Sequence, residues 1–215
     1  MDGLSLSLKN IFTSSGETIR KAPKYNVIVC GGEFGGGKTI FLTYWAVNQE
    51  ETARRLNREF TYAHIYANYH LNNVPRFTYL NPSLTRRDLF DLVKPRSLLL
   101  IDEADDYASN RDSMKGENKD RMRFFFQVRK IECDVIMNIP VIQYLDKRYL
   151  RLITEFYEGK GEISKNAGIY EYARLIPASS QRGYIDYMDF YEAGSFYIDM
   201  KKYYQFYDHT ERIHK

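Results

Sequence analysis

Gly32, Glu33, Phe34, Gly35, Gly36, Gly37, Lys38 and Thr39 form a complete G-x-x-x-x-G-K-T loop directly behind the apolar run Val27 to Cys30. That order, a buried strand, a glycine-rich loop and then a lysine and a hydroxyl residue opening a helix, constrains the fold more than any other feature of the chain. Glycines let backbone N–H groups turn inward around phosphate oxygens, a lysine reaches the β and γ phosphates, and a hydroxyl ligates Mg²⁺. The bland alternative is a glycine-rich structural turn. The strand before the loop, the amphipathic segment Ile40 to Leu56 after it and the three consecutive glycines favour phosphate binding. The nucleotide contacts expected from this motif are Gly32, Gly35, Gly36, Gly37, Lys38, Thr39 and Ile40, with the positive end of the helix dipole on the anion.

A second signal stands downstream. Ser97, Leu98, Leu99, Leu100 and Ile101 read as a strand buried on both faces of a parallel sheet, and it ends in Asp102 and Glu103. An acidic pair there suits a Walker B motif: Asp102 opposite Thr39 as the Mg²⁺ holder, and Glu103 as general base toward the attacking water. The alternative is an acidic N-cap closing a βα loop. The pair also replaces the Asp-x-x-Gly of GTPases, and Asn118, Lys119 and Asp120 lack the spacing of a guanine reader. The strand-like Tyr62 to Ala67 lies between the two motifs in sequence. The expected class is therefore α/β: a RecA-like, additional-strand P-loop NTPase that hydrolyses ATP on a mainly parallel sheet flanked by helices. The same acidic pair argues against a nucleotide kinase.

Length and charge bound the rest. A chain of 215 residues holds one α/β domain with decorations. The expected division is an N-terminal arm at 1–24, where Leu4, Leu6 and Leu8 alternate with polar residues, an ATPase core at 25–158, and a C-terminal β elaboration at 159–215. A net charge of +3 supports no bulk electrostatic case for nucleic acid, so any such case depends on where the basic residues lie. Cys30 and Cys133 lack C-x-x-C spacing and read as reduced core residues. No apolar stretch approaches the ~18 residues of a membrane helix, and no signal-peptide core is visible, so a soluble, intracellular protein is expected.

Between the acidic strand and the next strand, Asp134 to Ile139, lies a charged segment from Ala104 to Lys130 with a helix expected from about Glu117. It is either a solvated helix face or a subunit-contact or DNA-facing helix that supplies an arginine finger; Arg123 and Arg129 are the candidates. Asn138, or the nearby Gln143, is placed to sense the γ-phosphate, with a capping or turn role before Pro140 as the alternative. A short helix is expected from Ser83 to Val93. Gly161 and Gly168 read as turns, and Tyr170 to Ile176 alternates like an added strand.

The run Arg129, Lys130, Cys133 to Asn138, Leu145 to Arg148 and on to Tyr157 resembles the zonular occludens toxin-like ATPases, within the broader FtsK/HerA superfamily. Ile65 to Asn68 and Tyr207 to Glu211 fit the same pattern, and the resemblance covers most of the chain from Tyr25 onward. The chain differs from the family in carrying Asn138, Ile139 and Pro140 where a Gln is common, and in lacking the transmembrane helix that many members add. The resemblance implies a ring, expected to be hexameric, with ATP and Mg²⁺ between subunits and basic loops facing double-stranded DNA. Lys147, Arg148, Arg151, Lys201 and Lys202 are candidates for such contacts. It further implies genome packaging into a particle, in host cytoplasm or virion, or alternatively an assembly or extrusion role on capsid or coat protein.

Overall fold

The computed structural model describes residues 25–32, 35–81, 86–104, 124–141, 147–150, 152–164, 167–177 and 190–207. The expected arm, Glu33 and Phe34 of the loop, Ser83, most of the charged segment including Arg123, Gln143, Arg151 and the stretch after Tyr207 lie outside the described residues.

A single sheet of eight strands in the order β3-β2-β4-β5-β1-β6-β7-β8 organises the chain. Its centre is built from short apolar runs: β1 (Val27–Gly31), β4 (Ser97–Ile101) and β5 (Cys133–Ile139) are buried at every position. Strands covered on both faces need no polar alternation, so continuous Val, Ile and Leu is the pattern that fits them. β2 (His64–Ala67), β3 (Phe77–Tyr79) and β6 (Glu155–Glu162) complete the parallel part, with β2 on β3 and β4, and β6 on β1. β5 is hydrogen-bonded to both β1 and β4. The strand inserted between the P-loop strand and the Walker B strand is thus β5, whereas β2, expected from Tyr62 onward and found from His64, lies outside β4. This is the additional-strand order of a RecA-like P-loop NTPase.

β7 (Ile169–Pro177) and β8 (Phe190–Asp199) extend the sheet antiparallel beyond β6. The point 158/159 falls inside β6, so the parallel core runs without a break into this hairpin. Gly168 is in the turn before β7, as expected, but Gly161 is within β6, where the register on β7 shifts between Gly159 and Gly161.

Helices cover the two faces. α1 (Lys38–Val47) and α2 (Gln49–Arg55) replace the single segment expected over Ile40 to Leu56. The break is chemical: Asn48 leaves helical geometry, and its side-chain amide donates to the Tyr44 carbonyl at 2.8 Å and to the Tyr203 hydroxyl at 2.9 Å. An asparagine bonding locally to backbone competes with helix continuation. α1 is not amphipathic either, since Ile40 to Ala46 are all buried. It is wedged between the sheet and the C-terminal 3₁₀ turns Met200–Lys202 and Tyr204–Phe206, and Phe41, Tyr44 and Trp45 form an aromatic cluster with Tyr157, Tyr172, Phe196 and Tyr203. The opposite face packs α3 (Arg86–Leu92), Phe124, Phe125, the 3₁₀ turn Val128–Lys130 and α4 (Lys147–Leu150) on the sheet. Cys30 and Cys133 are free thiols in these cores. No helix among the described residues is long and apolar enough to cross a membrane.

Candidate functional site

Parallel strands β1, β4 and β5 end together, and each delivers one part of the site at its carboxyl end: Gly31 and the loop, Asp102 with Glu103, and Asn138. Such a rim is where open α/β sheets bind ligands.

The loop's glycines are demanded by space and by dihedral angle. Gly32 has φ 140°, and a Cβ there would lie 2.8 Å from the Gly159 carbonyl oxygen of β6. Gly37, the N-cap of α1, has φ 76°, and a Cβ there would come within 2.5 Å of both the Tyr170 ring and the Tyr172 hydroxyl. The Phe41 N–H to Gly37 carbonyl bond, 2.9 Å, opens the α1 ladder, so the N–H groups of Lys38, Thr39 and Ile40 have no intrahelical acceptor. The first turn of α1 also carries no acidic side chain, which leaves its positive end for an outside anion. Lys38 Nζ donates to the Gly32 carbonyl at 2.9 Å, folding the ammonium back over the loop.

Thr39 Oγ1 donates to Asp102 Oδ2 at 2.8 Å, joining the two sequence motifs across 63 residues. Asp102 is 9 % exposed. Burial pushes its carboxyl up, while bonds from Asn138, Thr39 and the Glu103 N–H, and the charge of Lys38, act in the opposite direction. Asn138 Nδ2 donates to Asp102 Oδ1, and its Oδ1 accepts the Glu103 N–H at 2.8 Å. Glu103 is exposed and has φ 51°, a left-handed conformation that costs on the order of 1–3 kcal/mol outside glycine and clusters at functional sites.

Asn68, at the end of β2, is a site residue that the motif reading missed. Its Oδ1 accepts the Asp102 N–H at 2.7 Å and its Nδ2 donates to the Asp102 carbonyl at 2.8 Å. Both polar groups of the Asp102 peptide are thereby held by one buried amide. The only signal in sequence was the position after the second strand. Tyr172 was equally unmarked; its hydroxyl donates to the Gly37 carbonyl at 2.6 Å.

The donor set fits Mg²⁺ bound with a nucleotide. A Thr39 hydroxyl that gives its proton to Asp102 turns its lone pairs outward, and Mg²⁺ takes few protein oxygens together with phosphate and water. Among the described residues no group of three or more His, Cys, Asp and Glu could hold a metal. Arg129 lies in the 3₁₀ turn before β5, on the face opposite α1; Lys147 opens α4 on that same face.

No protein-family model matches the chain, and no curated protein matches it. Solved structures do. The N-terminal domain of zonular occludens toxin from Neisseria meningitidis superposes with a TM-score of 0.58 at 17% identity, over 86% of this chain and 99% of that one. The genome packaging NTPase B204 of Sulfolobus turreted icosahedral virus 2, in complex with AMP, gives 0.48 at 8% identity, over 79% and 96%. The AAA domain of FIGL-1 with ADP gives 0.41 at 18% identity, over 66% and 44%. In fold the chain is similar to the N-terminal domain of zonular occludens toxin, an α/β sheet of the RecA-like kind.

Proposed function

We propose that the protein is a Mg²⁺-dependent ATPase whose turnover drives double-stranded DNA into a viral particle. The observation that carries the hydrolytic part is the 2.8 Å bond between Thr39 and Asp102, with Lys38 over the loop on one side and Glu103 beside Asp102 on the other. The backbone N–H groups at the start of α1 and the Lys38 ammonium bind the phosphates. Mg²⁺, when bound, supplies charge neutralisation on the β and γ oxygens. Glu103 orients a water and takes its proton as the water oxygen bonds to the γ-phosphorus and the bond to the ADP oxygen breaks. Asn138 holds Asp102 and the Glu103 backbone in one frame. An arginine from a neighbouring subunit, Arg123 or Arg129, completes the charge balance in a ring.

The DNA part is supported by the family-like stretch from Arg129 to Tyr157, and by basic residues that could grip a phosphate backbone without reading sequence. Glu103→Gln should bind ATP and lower turnover about 10²- to 10⁴-fold, and Lys38→Ala should lose binding as well. Undiminished turnover in Glu103→Gln, measured as phosphate release, would remove this residue from the chemistry.

A further inference from the structure

The direction of the triphosphate across the loop follows from the strand order. Asp102, Glu103 and Asn138 stand on β4 and β5, on one side of β1, so the γ-phosphate lies toward them. The nucleoside must then leave on the other side of β1, over β6 and β7. β7 is two strands from β1, about 10 Å at the usual spacing of paired strands. That places the outgoing nucleoside above the residues of β7 that face the loop.

Those residues are aromatic. A Cβ on Gly37 would be 2.5 Å from Tyr170 Cδ1, so the ring abuts the loop glycine, while Tyr172 is tied to the same glycine through its hydroxyl. The two differ in burial. Tyr172 is fully enclosed in the α1 cluster, whereas Tyr170 is only partly covered. Tyr204, in the last 3₁₀ turn, is exposed at 43%. Burial first, then the carboxylate of Glu162 and the phenol of Tyr204, push the Tyr170 hydroxyl up. A buried ring fills a core; a partly covered ring beside the loop glycine keeps some surface open to solvent.

We propose that Tyr170 is the base-binding platform of the nucleotide site, holding the purine of the nucleoside triphosphate by stacking. The proposal rests on the ATPase reading above, and it adds a role for the C-terminal hairpin, which carries none of the nucleotide motifs. Stacking accepts a flat ring without reading its hydrogen-bonding edge, so adenine and guanine both gain from it.

Calorimetric titration of the full chain in Mg²⁺ with two probes, a non-hydrolysable ATP analogue and inorganic tripolyphosphate, separates the base from the phosphates. Tyr170→Ala is expected to weaken the analogue about tenfold while tripolyphosphate binding stays unchanged, which also shows that the variant keeps its loop. Tyr170→Phe retains analogue affinity because the ring face remains. Tyr197→Ala, on an exposed tyrosine of β8, changes neither. Equal loss of both probes in Tyr170→Ala would mean that the ring only shapes the loop, and no loss of either would remove it from the site; both results overturn the platform. Failure of the wild-type chain to bind either probe would instead overturn the nucleotide reading itself.

Discussion

A side-chain amide can donate and accept at once, and this protein uses that property twice around one carboxylate. Asn68 grips the Asp102 peptide from β2, and Asn138 links the Asp102 carboxylate to the Glu103 N–H from β5. Neither amide needs to touch the nucleotide to matter, because Asn68 holds the Asp102 peptide and Asn138 holds its carboxylate and the Glu103 backbone. Removing Asn68 leaves the Asp102 N–H and carbonyl buried without a partner, a cost of about 1–3 kcal/mol for each such group. Asn68→Ala should therefore lower kcat about tenfold or more, since a small misplacement of catalytic groups is expensive. Its KM for ATP should change little, as the loop and Lys38 are untouched. A rise in KM at constant kcat, in steady-state phosphate release, would contradict the positioning role.

Among the elements, β1, β4 and β5 were legible in sequence because strands buried on both faces are continuous apolar runs, and the two motifs mark their ends. Asp102 and Thr39 could be paired by motif, but Asn68 could not be assigned a role, since its bonds to Asp102 depend on β2 lying beside β4. Tyr172 was invisible for the same reason at longer range: its partner Gly37 is 135 residues away. The α1–α2 break was misread because periodicity alone does not reveal that Asn48 finds Tyr203. The hairpin β7–β8 was legible as an added strand and no further. Tyr172→Phe tests its link to the loop. Losing one hydrogen bond while keeping the ring should cost about 1 kcal/mol in denaturant unfolding, with a weaker ATP affinity. An unchanged affinity would mean that the hairpin covers the loop without steadying it.

The opposite end of the sheet has its own polar anchor. Asp134, fully buried at the start of β5, accepts from the Asn26 N–H at 2.7 Å, Tyr62 Oη at 2.7 Å and Arg58 Nε at 2.6 Å. Burial, followed by the Asp134 carboxylate, holds the Tyr62 phenol well above its usual range. Asp134→Ala removes one partner of the buried Arg58 ion pair and should cost about 3–5 kcal/mol of stability, read as a lower midpoint in urea. Turnover per folded molecule should persist, because Asn138 and Asp102 stand at the far end of their strands. A dead but stably folded Asp134→Ala would contradict this separation of stability from chemistry.

For the molecule as a whole, one sheet joins the two nucleotide motifs, their amide clamps and the tyrosine-rich hairpin, and the proposed work on DNA turns on whether that site responds to DNA. The most direct measurement is steady-state ATP hydrolysis by the full chain in Mg²⁺, with and without double-stranded DNA, across a salt series. A motor that grips phosphates predicts turnover raised severalfold by DNA of any sequence, with the stimulation fading as salt rises. Robust hydrolysis that is indifferent to DNA at every salt concentration would contradict it.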